Sequence, residues 1–171
     1  MSDLLAATRL LLIAAVCAAL LGLTHWLTAP RIADNQSQKS RDDLRLLLGT
    51  EHSFSTEELP DVSAGGDCWY LPAPGLYLHR MQTTGYGGPM TLLATLADGR
   101  LERLRVTAHQ ETPGIADFLN RPDTGWMARL RGQDHQQLGA IDTVSGATIT
   151  SRALLNAIIN RTAGAEMECR R

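Results

Sequence analysis

The segment Ile141–Ala153, IDTVSGATITSRA, holds the densest set of side chains able to do chemistry. Ser145, Gly146, Ala147 and Thr148 put small residues and two hydroxyls just ahead of a run with helical spacing. That run, Thr148 to Ala163, carries Ala153, Leu154, Ala157 and Ile158 as an apolar stripe and has Gly164 as a stop. At such a helix start, free N–H groups and the helix dipole favour a negatively charged group, which is the physical description of a phosphate site. Ser, Thr and Gly are also the residues that simply cap helices, so the spacing alone fits a phosphate site or a plain N-cap. No convincing triad surrounds Thr148, and a hydroxyl without a base or metal is a weak nucleophile. Two more strings stand upstream, Gly85-Tyr86-Gly87-Gly88-Pro89 and His109-Gln110-Glu111-Thr112-Pro113-Gly114. By composition the first is a glycine-rich turn between strands, and the second a loop that ends a strand.

The elements that must position these strings read as an α+β domain, a mostly antiparallel twisted sheet packed with helices. Cys68–Leu71 and Leu76–Met81 are rich in Trp, Tyr and Leu and are separated by Pro-Ala-Pro-Gly, so they read as strands with a turn. Met90–Leu96 and Leu101–His109 flank Asp98-Gly99, the dipeptide that supplies the positive φ angles of a type I′ hairpin. In the second of these strands Leu104, Val106 and Ala108 alternate with Arg103, Arg105 and Thr107, so one face is expected buried and the other wet. Pro113 to Gly132 suggests two short helices, the second around Trp126–Leu130, on either side of a turn at Pro122–Gly125. Thr50 to Asp67 has no sustained period and reads as loop.

From Leu10 to Ala29 there is no Asp, Glu, Lys or Arg. About 20 helical residues span ~30 Å, the hydrocarbon thickness of a bilayer. Residues 1–29 therefore read as a membrane anchor, 30–49 as a juxtamembrane helix ending at Gly49, and 50–171 as the domain that folds in water. The apolar run exceeds a usual signal-peptide core and lacks a clean A-x-A-like site, so it is expected to be retained. Val16 before Cys17 argues against a lipoprotein signal. Ala14, Ala18 and Gly22 form a stripe of small residues that fits either close approach of another helix or ordinary membrane composition. With Arg9 before the helix and Arg31 and Lys39 after it, charge does not orient the anchor. The chain has 171 residues, 44% hydrophobic and 20% charged, and a net charge of −2, which excludes disorder and a nucleic-acid partner. Cys68 and Cys169 are too few, and too far apart in sequence, to suggest a zinc site, and whether they pair is open.

The string Asp142-Thr143-Val144-Ser145-Gly146-Ala147-Thr148 is similar to the D-x-x-S-G-A-T motif at which FMN-binding domains carry a flavin covalently through a threonine. With both upstream strings, the Asp-Gly hairpin between them and the single N-terminal membrane helix, the chain resembles the family of G subunits of Rnf-type electron transport complexes. These are the ion-translocating ferredoxin:NAD oxidoreductases, and the likeness runs in order along nearly the whole chain.

The resemblance implies that Thr148 bears FMN by a phosphoester bond, with Thr150 the neighbouring hydroxyl that does not. It implies a separate Mg-dependent flavin transferase that uses FAD, for which Gly146 and Ala147 leave access beside Ser145, and an acidic position at Asp142 that assists the transferase or orders the loop. It places Tyr86 and the backbone of Gly87 near the flavin, and Glu111 and Thr112 along its site, with His109 only the end of a strand. The protein would then be an electron carrier without catalytic residues of its own, anchored in the bacterial inner membrane beside other membrane subunits, its domain on the periplasmic side. Absence of a Rossmann fingerprint or a cysteine cluster puts NAD and ferredoxin elsewhere in such a complex. The C subunit of the sodium-translocating NADH:quinone reductase shares the flavin motif and is the nearest alternative. A membrane-anchored assembly or binding module that never carries flavin is the alternative from another class.

Overall fold

The computed structural model describes residues 2–49, 62, 66–71, 75–163 and 169, which fall into two compact units, Met1–Lys39 and Ser40–Arg171. Helix α1, Ser2–Leu48, begins in the first unit and ends in the second. The first unit contains a stretch long and apolar enough to cross a membrane, with Leu10, Leu11, Ile13, Leu20 and Leu21 all exposed. Such a surface has no place in water, and a helix suits lipid because its backbone groups are satisfied within the segment. The hydroxyls of Thr24 and Thr28 follow the same logic, donating back to the carbonyls of Leu20 and Thr24 at 3.0 and 2.8 Å. Where the sequence divides anchor from juxtamembrane helix at Pro30, the helix runs on without a break. Proline costs it one ladder bond, because its nitrogen carries no hydrogen.

In the second unit, β1 (Cys68–Leu71), β2 (Leu76–Thr84), β3 (Pro89–Ala97) and β4 (Arg100–Ala108) form one antiparallel sheet in the order β1-β2-β3-β4. The β3–β4 turn has φ of 50° at Asp98 and 71° at Gly99, as the Asp-Gly dipeptide predicts. β2 runs three residues past the expected Met81, because Gln82, Thr83 and Thr84 find partners in Thr91, Met90 and Pro89. A 3-10 turn at Asp117–Asn120 and the short helices α2 (Gly125–Ala128) and α3 (His135–Gly139) precede α4, Thr148–Thr162. Helix α3 is not among the elements expected from sequence. Its start is fixed by a capping box in which the Asp134 carboxylate accepts from the Gln136 and Gln137 N–H groups, while the Gln137 side chain accepts from the Asp134 N–H.

One face of the sheet, with Met90, Leu92, Ala94 and Leu96 of β3, packs under Leu154, Leu155 and Ile158 of α4, under Leu119, Met127 and Leu138 of the shorter elements, and under Leu130 in the turn after α2. Burial of each leucine, isoleucine or methionine among them is worth about 1.5–3 kcal/mol. The other face carries Leu71, Leu78 and Leu93 and is covered by Leu44, Leu47 and Leu48 at the end of α1. The expectation of a wet face on β4 is therefore corrected. Arg105 is half-buried there, and its Nε donates to Oδ1 of the buried Asp43 at 2.9 Å. Helix α1 stops at Gly49, whose φ of 73° is the left-handed cap glycine provides most readily. Cys68 and Cys169 form a disulfide, which closes the open question of their pairing. The expected loop at 50–67 lies mostly outside the described residues, as do most of the Pro-Ala-Pro-Gly turn and the Gly164 stop.

Candidate functional site

The turn that leads into α4 is pinned from inside. Ser151 is fully buried, and its hydroxyl accepts from the Val144 N–H at 3.0 Å and donates to the Ala147 carbonyl at 2.9 Å. Gly146, at φ 80°, takes a backbone conformation that costs a residue with a Cβ. Ala147 is buried, Ser145 and Gly146 are exposed, and Thr148 opens the helix with its side chain exposed. Two residues along a helix are separated by about 200°. Thr150 accordingly faces inward at 2% exposure.

What Thr150 meets inside joins the three strings singled out from sequence. Its Oγ1 donates to Glu111 Oε2 at 2.8 Å and accepts from the Tyr86 N–H at 3.4 Å. The Gly87 N–H donates to the other carboxylate oxygen, Oε1, at 3.1 Å. Glu111 is buried just beyond the end of β4, and these donors compensate a carboxylate that would be costly to bury bare. The loop comes this close only because it is glycine: a Cβ on Gly85 would run into the Glu111 carboxylate, and one on Gly87 into the Gln110 carbonyl.

Above this network lies a cleft of about 370 Å³. Tyr86, Glu111, Thr112, Gly146, Ala147 and Thr148, all singled out from sequence, line it together. Thr150, Ile115 and Ile149 complete the lining. Gly87 meets the site through its N–H on Glu111, and Ser145 lies one residue before the lining segment. Asp142 stands away from the cleft with its carboxylate exposed, and its carbonyl accepts from Trp126 Nε1 at 2.6 Å. His109 is turned the other way, its Nδ1 accepting from the Glu111 N–H at 3.3 Å and its Nε2 lying 3.4 Å from Asn120 Oδ1. Ile115 and Ile149 escaped the sequence analysis. The available signal was an isoleucine in the first turn of α4, off the stripe that Leu154 and Ile158 define.

The cleft falls within the size range of small-molecule sites, roughly 300–1,000 Å³. Its floor is the hydrogen-bonded Glu111–Thr150 pair, and its rim is the exposed Tyr86, Ile115 and Ile149. An aromatic ring system with a phosphate tail fits this set. The rim offers apolar surface to the ring, and the start of α4 offers N–H groups and the Thr148 hydroxyl to the phosphate.

A family model for an FMN-binding domain matches residues 85–161, and a model for the RnfG N-terminal region matches residues 4–45. The chain is 29% identical to the G subunit of the ion-translocating oxidoreductase complex of Stutzerimonas stutzeri, over 86% of this chain and 74% of that protein. It is 26% identical to the G subunit of the proton-translocating ferredoxin:NAD(+) oxidoreductase complex of Clostridium ljungdahlii, over 81% of this chain and 78% of that one. It is 27% identical to the G subunit of the ion-translocating oxidoreductase complex of Methanosarcina acetivorans, over 87% of both. The two matched regions take in most of the N-terminal helix, all three strings and all but the last residue of α4.

Proposed function

The chain belongs to the RnfG family, an RnfG N-terminal region leading into an FMN-binding domain, and on that premise we propose how it works. It is the electron-transfer subunit of a membrane-bound, ion-translocating ferredoxin:NAD oxidoreductase complex, and it holds FMN through a phosphoester bond to Thr148. The observation that carries this reading is the opposite exposure of the two candidate hydroxyls. Thr148 is open to another enzyme at the mouth of the cleft, whereas Thr150 is buried and committed to Glu111.

FMN supplies the redox chemistry, accepting and passing on electrons singly or in pairs. The chain does the rest. Thr148 Oγ1 would hold the flavin phosphate as a phosphoester, its proton and AMP being released when a flavin transferase delivers FAD. The first N–H groups of α4 would hold the phosphate. Glu111, held on both oxygens, gives the cleft a fixed polar floor, and Tyr86, Ile115 and Ile149 present apolar surface to the ring. Helix α1 anchors the domain in the inner membrane among the other membrane subunits, with the domain on the periplasmic side.

The test uses membranes that contain the assembled complex. Thr148→Ala is expected to abolish electron transfer from ferredoxin to NAD while the subunits still co-purify. Thr150→Ala is expected to keep most of it. Full activity in the Thr148→Ala complex would exclude this function for the site.

A further inference from the structure

A second cluster of chemically capable groups lies away from the flavin cleft. Cys68 on β1 and His79 on β2 are cross-strand partners, and Cys169 is joined to Cys68. His79 Nε2 lies 3.4 Å from the Cys68 sulfur and 3.9 Å from that of Cys169. The imidazole is 1% exposed, and its Nδ1 has no hydrogen-bond partner among the described residues. A buried ring whose Nε2 faces two sulfurs among the described residues is poorly compensated by hydrogen bonding alone.

We propose that, once the disulfide is reduced, Cys68, Cys169 and His79 Nε2 form a three-coordinate site for Cu(I). The ligand atoms all lie within 4.8 Å of one another. Atoms ~2.0–2.3 Å from a shared ion at trigonal angles sit roughly 3.5–4 Å apart. Both nitrogen-to-sulfur distances already match that spacing, so only the sulfurs must separate. Two thiolates and an imidazole are soft and borderline donors, the set that selects Cu(I) or zinc. Structural zinc takes four ligands, and this cluster has three among the described residues. An external dithiol supplies the two electrons and two protons that open the disulfide, and is itself oxidised to a disulfide. On binding, each cysteine releases its proton to solvent and His79 donates the Nε2 lone pair, its ring hydrogen on Nδ1. The loaded site carries one net negative charge, and Arg161 is the cation that acts on His79 from α4.

The test uses the full chain in detergent, reduced with a dithiol, with the exposed Cys17 replaced in every sample by Cys17→Ser. Cu(I) is titrated anaerobically against the chelator bathocuproine disulfonate, and bound copper is examined by X-ray absorption. The expected result is one copper per chain with two sulfur neighbours and one nitrogen. Cys169→Ser, which leaves the sheet intact, should lower the affinity by more than the roughly 10–100-fold typical of outer-shell changes. His79→Gln, checked for folding by circular dichroism, should remove the nitrogen neighbour. Failure of the reduced chain to hold copper, unchanged affinity in Cys169→Ser, or retention of zinc in preference to copper would each overturn the proposal and leave the pair a structural disulfide. The flavin reading stands or falls separately, since none of these residues lines the cleft.

Discussion

Thr150 Oγ1 donates to Glu111 Oε2 at 2.8 Å, tying the first turn of α4 to the end of β4 through a contact between residues 39 apart in sequence. Removing that donor leaves a buried carboxylate with the Gly87 N–H as its remaining donor among the described residues. Thr150→Val is therefore expected to destabilise the domain by about 1–3 kcal/mol, the usual cost of an unsatisfied buried polar group, while leaving flavin attached. Thermal unfolding followed by tryptophan fluorescence checks the first half, and flavin absorbance per chain the second. An unshifted melting temperature would mean that the contact does not organise the site.

The approach of the glycine loop predicts a different failure. In Gly87→Ala the new methyl group meets the Gln110 carbonyl, so the loop must move and its N–H must leave Glu111. Overpacking of this kind costs about 1–3 kcal/mol. Flavin loading should fall along with stability, because Tyr86 lines the cleft and moves with the loop. A Gly87→Ala protein with wild-type melting and full loading would contradict the role given to the loop.

Much of this framework was legible in advance, and the exceptions share a cause. The four strands, the Asp98-Gly99 hairpin and α4 are set by local rules of alternation, turn chemistry and helical spacing, and the sequence carries those rules within a dozen residues. The Glu111–Thr150 bond, the cover that Asp43 and Leu44 give to the arginine face of β4, and the meeting of His79 with two cysteines are pairings of distant segments. No local period encodes them. Helix α3 is another matter: Asp134 and Gln137 stand at capping-box spacing, and a helix of five residues is too short for an apolar stripe to announce it.

Acid should weaken the oxidised domain through His79. Burial first, and then the charge of Arg161, push this ring from 6.5 down to about 4. Between those values the unfolded chain binds a proton that the folded one refuses, so the contribution of His79 is full above pH 6.5 and is lost as pH falls toward 4. Its ceiling is about 3 kcal/mol. Unfolding free energies measured across this range should decline less steeply in His79→Phe than in the wild type, and parallel curves would rule the linkage out.

Orientation follows from the flavin reading, because the charges flanking the anchor do not decide it. Alkaline phosphatase, which folds only in the periplasm, is expected to be active when fused after Arg171. Activity confined to a cytoplasmic reporter at the same position would reverse the topology and the route by which flavin is loaded.

The most direct measurement is the intact mass of the chain co-expressed with a flavin transferase, followed by mapping of the modified peptide. The account predicts a mass gain equal to FMN less water, located on Thr148 and absent from both Thr148→Ala and cells without the transferase. An unmodified wild-type chain under those conditions, or an FMN adduct that persists in Thr148→Ala, would contradict it.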